Sequence, residues 1–128
     1  MQWICTNNQS SRYLGQIGGK IMKLIKAIVR PEKASEVLKE LCDAGYISAT
    51  RISILGRGKQ RGLKVSDVYY DEIPKEMIMM VVPDEAVDEV QKIILQTART
   101  NKTGAFGDGK IFIIPVEKSI TISSGEEE

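Results

Sequence analysis

From Met22 onward the chain carries a run of apolar patterns whose period switches between that of a strand and that of a helix. Lys23-Leu24-Ile25-Lys26-Ala27-Ile28-Val29-Arg30 is a β-branched stretch closed by Pro31 and predicts a buried strand. Pro31 then opens a helix. Ala34, Val37, Leu38 and Leu41 recur at three and four, Glu32, Lys33, Glu36, Lys39 and Glu40 take the wet side, and Gly45 stops it. Residues 49–55 predict a second strand, which runs into Gly56-Arg57-Gly58-Lys59-Gln60-Arg61-Gly62 and a polar connection lasting until Pro74. Residues 76–82, rich in Met and Val, predict a third strand, and Pro83-Asp84-Glu85 launches a second helix. Its apolar stripe is Val87, Val90, Ile93, Ile94 and Ala98, and it ends near Thr100. After the glycine-rich Gly104-Ala105-Phe106-Gly107-Asp108-Gly109-Lys110 come a strand over 111–116, a shorter one at Ile120-Thr121-Ile122, and a polar tail over 125–128.

The order is βαββαβ. Two strand-helix-strand halves with right-handed crossovers give a split antiparallel sheet with both helices on one face, the α+β ferredoxin-like sandwich. Roughly 105 residues behind a single helix layer bury a limited core, so the open sheet face needs cover, and self-association is the simplest source of it.

Residues 1–21 differ from the rest: they hold the only Trp, one of two Cys, and no sustained period. They lack the charged start and long apolar centre of a secretory signal. The stretch is expected to be a disordered extension or an upstream mis-called start, with Met22 as the true initiator and 22–128 as the domain.

Composition narrows the function. The chain has 128 residues, 42% hydrophobic and 27% charged, as in a single soluble domain, and no apolar run approaches the roughly 20 residues of a spanning helix. A net charge of +1 supplies no bulk field for nucleic acid or an anionic membrane, so any anion site must be local. Arg12 and Lys20 are the only charged residues before Met22, which leaves the domain at −1. Histidine is absent, which removes the commonest general acid/base near neutral pH. No nucleophile–base pair stands out either, so the chain is not read as an enzyme. Few strand aromatics are available to stack bases. The two cysteines, Cys5 and Cys42, are too few for a metal cluster or a secreted disulfide framework, and a reducing cytoplasm fits them better. Cys42 lies in an apolar helical pattern, as a buried small hydrophobe would.

Two loops carry chemistry. In Gly56-x-Gly58-x-Gln60-x-Gly62, interleaved with Arg57, Lys59, Arg61 and Lys64, glycines let backbone N–H groups face a ligand and four cations raise the local potential. The pattern suits an anion, but taken alone it more often marks a solvated hairpin tip, because basic glycine loops are common on surfaces. Gly107-Asp108-Gly109-Lys110 places a lysine and free amides at a sheet end, and Asp-Gly is also ordinary turn chemistry.

The stretch over 22–128 resembles the PII signal-transduction proteins. The likeness rests on Met22 to Pro31, the Gly56-x-Gly58-x-Gln60-x-Gly62 loop, Ile73-Pro74-Lys75, Val81-Val82-Pro83-Asp84, Thr97-Ala98-Arg99-Thr100 and Gly107-Asp108-Gly109-Lys110-Ile111-Phe112. The resemblance implies a homotrimeric ferredoxin-like barrel that binds ATP or ADP between subunits and, with Mg-ATP, 2-oxoglutarate. Carried over by position, it implies that Ile28, Thr50, Gly56, Gly58, Lys59, Gln60 and Val81 line the nucleotide cleft. Gly107, Asp108, Gly109 and Lys110 would cradle phosphates, Gln60 would hold Mg²⁺ through its amide oxygen and adjoin 2-oxoglutarate, and Lys75 would pair with a 2-oxoglutarate carboxylate.

The chain departs from the family at Lys59, Thr121 and Ser123, where arginines are usual. Its connection from Gly62 to Lys75 is short, and the modifiable tyrosine position falls on Val68, so uridylylation is not expected. The expanded Thr100-Asn101-Lys102-Thr103-Gly104-Ala105-Phe106 and the stretch Asp67-Val68-Tyr69-Tyr70-Asp71-Glu72-Ile73-Pro74-Lys75 are similar to the nitrogenase-associated subgroup. That likeness implies a second PII-like subunit and direct binding of the dinitrogenase component, with Arg61, Lys64, Tyr69 and Tyr70 as the partner loop. The alternative target is an ammonium transporter or a nitrogen-assimilation enzyme. Neither nucleic acid nor membrane insertion is expected.

Overall fold

The structure is a computed structural model that describes residues 21–57 and 72–127. Its elements are β1 (Met22–Val29), α1 (Pro31–Asp43), β2 (Thr50–Gly56), β3 (Ile73–Pro83), a 3₁₀ turn (Asp84–Ala86), α2 (Val87–Ala98) and β4 (Gly109–Val116). The strands form one sheet in the order β2-β3-β1-β4 with every pair antiparallel, which is the expected ferredoxin-like order.

Each helix forms for reasons visible in its residues. Arg30 stays extended, as a residue before proline must, and Pro31 occupies the first helical position, where its missing N–H costs nothing. At the other end the Tyr46 amide donates to the Leu41 carbonyl (2.9 Å) and the Gly45 amide to that of Cys42 (3.0 Å), with Gly45 at φ 102°. This double closure needs a left-handed residue, and glycine supplies it. The α1 stripe buries Ala34, Val37, Leu38, Leu41 and Cys42, and α2 buries Val90, Ile94 and Ala98. These pack on Ile25, Ala27 and Val29 of β1 and Ile78, Met80 and Val82 of β3, all at most 4% exposed. The Tyr46 hydroxyl donates to the Glu89 carboxylate and ties the end of α1 to α2.

The opposite sheet face is also apolar. Residues one position out of phase with the core set form it, and Ile52, Val81, Phe112 and Ile114 remain 38–44% exposed there.

Several boundaries differ from those expected. β3 begins at Ile73, three residues early, because β2 extends its ladder to the Gly56–Ile73 pair while β1 stops opposite Glu76. Pro74 therefore has no strand on its β1 side, which is where a sheet tolerates proline. β4 starts at Gly109, opposite Val29, rather than at Ile111. The short strand expected at Ile120-Thr121-Ile122 is corrected: among the described residues only an isolated Ile120–Glu127 bridge forms, because the chain turns over 122–124 and leaves Ile122 98% exposed. Cys42 is buried, as a small hydrophobe in the α1 stripe should be. Among the described residues no helix is long and apolar enough to cross a membrane.

Candidate ligand-binding site

The glycine loop before β4 meets the end of β1 and the start of β3 at one end of the sheet. Gly109 fixes the contact. It sits at φ 118°, and a Cβ placed on it would lie 1.7 Å from the Ile28 carbonyl oxygen, so only glycine fits. Gly104 (φ 80°), Gly107 (φ 89°) and Asn101 (φ 58°) supply the other left-handed turns.

Asp108 organises the loop from within. Its carboxylate accepts hydrogen bonds from the Thr100 amide (3.0 Å), the Thr100 hydroxyl (2.5 Å) and the Ala105 amide (2.8 Å). Arg30, from the end of β1, donates through Nε to Oδ1 of Asp108 (3.0 Å) and through Nη2 to the Phe106 carbonyl (2.6 Å). Partial burial pushes the Asp108 carboxyl up, but the Thr100, Ala105 and Arg30 donors outweigh it and hold the group well below the usual carboxylate range.

Lys75 reaches the same loop from β3 and donates to the Gly107 carbonyl. Burial, and next to it the Arg30 guanidinium, pull its ammonium below the ordinary lysine value, against Glu32 and Asp108. The two cations flank Gly107. A Cβ there would lie 3.3 Å from Arg30 Nη2 and 3.4 Å from Lys75 Nζ. Gly56 abuts the stem of the same lysine, its Cβ position 3.6 Å from Lys75 Cγ.

Behind the loop a cleft of about 760 Å³ opens between α2 and the edge strand β4, walled by Ile28, Leu95, Phe106, Lys110 and Ile113. That size and mixture, apolar walls with Arg99, Lys110 and the backbone of Gly104 and Gly109 in the lining, suits a small molecule bearing an anionic group. Among the described residues no group of three or more His, Cys, Asp or Glu side chains is placed to hold a metal ion.

Of the residues singled out by sequence, Ile28, Gly56, Lys75, Gly107, Asp108, Gly109 and Lys110 meet at this end. Thr50 and Val81 do not: Thr50 pairs with Met79 and Val81 with Leu24, several rungs away along the sheet. Gly58, Lys59, Gln60, Arg61, Lys64, Tyr69 and Tyr70 lie outside the described residues. Thr121 and Ser123 stand in an exposed turn in which the Thr121 amide donates to the Glu126 carbonyl (3.0 Å). Sequence reasoning missed Arg30 and Thr100 as parts of the loop. The available signal was Arg30 itself, a cation held extended by Pro31 at the end of a strand that topology brings beside the glycine loop.

A ferredoxin-like sandwich with a cation-flanked glycine loop defines a small ligand-binding domain. Its sequence takes the identification further: residues 22–126 match the family Nitrogen regulatory protein P-II, and the chain belongs to that family of nitrogen regulators. It is 56% identical to the "Nitrogen fixation nifHD2 region GlnB-like protein 1" of Methanosarcina barkeri, over 83% of this chain and 98% of that protein. It is 48% identical to the "Nitrogen fixation nifHD region glnB-like protein 1" of Methanococcus maripaludis, over 79% and 93%. The "Nitrogen regulatory protein P-II" of Haemophilus influenzae is 39% identical over 83% and 96%. Among solved structures, Arabidopsis thaliana PII bound to citrate superposes with a TM-score of 0.69 at 28% identity, covering 88% of this chain and 90% of that one.

Proposed function

We propose that this protein senses adenine nucleotide and 2-oxoglutarate and, in response to fixed nitrogen, controls nitrogenase by binding it directly. The observation that carries the effector reading is the pair of cations, Arg30 and Lys75, flanking Gly107 in the Asp108 loop. Lys75 is held beside Arg30 at an electrostatic cost, and an incoming carboxylate offsets that repulsion while replacing the Gly107 carbonyl as its partner. Residues 107–110 would cradle phosphates, Gln60 would hold Mg²⁺, and Lys75 would pair with 2-oxoglutarate. The separation of Thr50 and Val81 from this end within one chain fits a nucleotide cleft completed by a neighbouring subunit. A homotrimer, joined by a second PII-like subunit, would also cover the apolar open face.

Relatives named for the nifHD region favour the dinitrogenase component as target. The likeness to the Haemophilus influenzae regulator keeps a second reading in place, a general PII sensor acting on an ammonium transporter or an assimilation enzyme. Calorimetry tests the sensor. Mg-ATP and 2-oxoglutarate should bind synergistically, and Lys75→Ala and Gln60→Ala should lose the 2-oxoglutarate response; absence of synergy refutes it. Co-purification with dinitrogenase, released by ATP plus 2-oxoglutarate, separates the two targets.

A further inference from the structure

We infer that Arg30 is a positioning residue: it anchors the 107–110 loop to the sheet through Asp108 and so sets the geometry in which nucleotide phosphate is held. The inference deepens the nucleotide-sensing reading and rests on it.

The loop between α2 and β4 has little backbone order of its own. Within it the Asp108 amide donates to the Ala105 carbonyl at 3.2 Å, and a turn spans 101–103. Its shape depends instead on the Asp108 carboxylate, which gathers the Thr100 amide and hydroxyl and the Ala105 amide into one cluster. Such a cluster can hold its internal form and still drift relative to the sheet.

Two side chains prevent that. Arg30 binds both Asp108 and the Phe106 carbonyl, and Lys75 binds the Gly107 carbonyl. The two anchors differ in kind. Lys75 offers a single point charge on a flexible stem, and in the proposed function it leaves the loop for a carboxylate. Arg30 presents a planar fork to two acceptors, on a backbone pinned between the central strand β1 and the first turn of α1. Its side chain is 27% exposed and that of Asp108 17%, so the charge-assisted bond is partly shielded from water. When Lys75 turns away, Arg30 keeps the phosphate loop in register with Ile28 and Gly109.

The test uses the full chain, with Mg-ATP titrated in the absence of 2-oxoglutarate. Arg30→Leu should weaken ATP binding at least about tenfold, as expected for loss of a charge-assisted bond. Arg30→Lys should recover part of the loss, because it keeps the charge without the two-acceptor fork. Asp108→Asn should weaken binding similarly, and the double variant Arg30→Leu/Asp108→Asn should be no weaker than the poorer single variant. Multiplying losses, or Arg30→Leu within twofold of wild type, would overturn the inference. A second arm needs no nucleotide: amide exchange at residues 105–109 should accelerate in Arg30→Leu while β1 and α1 keep wild-type protection. Unchanged exchange there also overturns it. Where Arg30→Leu does not fold, Thr100→Val, which removes the 2.5 Å bond to Asp108, should shift both readouts in the same direction, and its failure to do so counts against the inference. Wild-type protein that binds no ATP refutes the sensor reading instead, and the exchange arm alone then decides the role of Arg30.

Discussion

The two faces of the sheet are almost equally apolar, yet their fates differ. On one, Ile25, Ala27, Val29, Ile78, Met80 and Val82 are sealed under two helices; on the other, Ile52, Val81, Phe112 and Ile114 keep more than a third of their surface. The strands therefore lack the apolar–polar alternation of a sheet that faces water, and read as runs buried on both sides. The difference teaches that apolar pattern alone does not say which face a chain covers by itself, and an exposed apolar area of this kind is the mark of an interaction surface.

The largest expected effect breaks the covered face. Ile78→Ala, at a site 1% exposed, should cost about 2–5 kcal/mol in urea unfolding, through lost transfer energy and a residual cavity. The matching truncation on the open face, Val81→Ala, should cost under about 1 kcal/mol in dilute protein. Equal costs would erase the contrast.

Next comes the rim where both faces meet the glycine loop. Gly109→Ala forces a left-handed residue, about 1–3 kcal/mol from the backbone alone, and drives a methyl into the Ile28 carbonyl. Thermal melts should fall and nucleotide binding should vanish together. If binding is lost with no change in melting, the packing argument fails.

Phe112→Asp sharpens the open face itself. The chain should stay folded, with unfolding free energy changed by about 0.5 kcal/mol at low concentration, while sedimentation shifts to smaller species. A variant that sediments as wild type would show that Phe112 is not part of the contact.

The smallest effect is expected from pH. The carboxyl of Asp108 lies below its unfolded value of about 3.9, so its stabilisation is complete above that value and is lost as pH falls beneath it toward the folded value. The Thr100 and Ala105 amide resonances should hold still between pH 8 and 5. Movement with a midpoint above pH 5 would contradict the hydrogen-bond cluster.

Most of the fold was legible. Pro31 and Gly45 bracket α1 as punctuation should, the three-and-four spacing of both helices matches the buried stripes, and the βαββαβ order yields the observed sheet. The errors lie where a partner strand decides: β3 gains Ile73 because β2 is there to pair with it, and Ile120-Thr121-Ile122 gains only the isolated Ile120–Glu127 bridge. At this end of the sheet, Gly107-Asp108-Gly109-Lys110 stood out by residue type and Lys75 through the family resemblance, but not the service that Asp108 performs inside its own loop.

By itself, then, the sequence determined periodicity, punctuation and family, because these depend on residues a few positions apart. Tertiary structure alone decided that Arg30 meets Asp108 across 78 positions and that Lys75 rests on Gly107. Such contacts depend on strand register and on where a side chain ends in space, and no local pattern of residues records either.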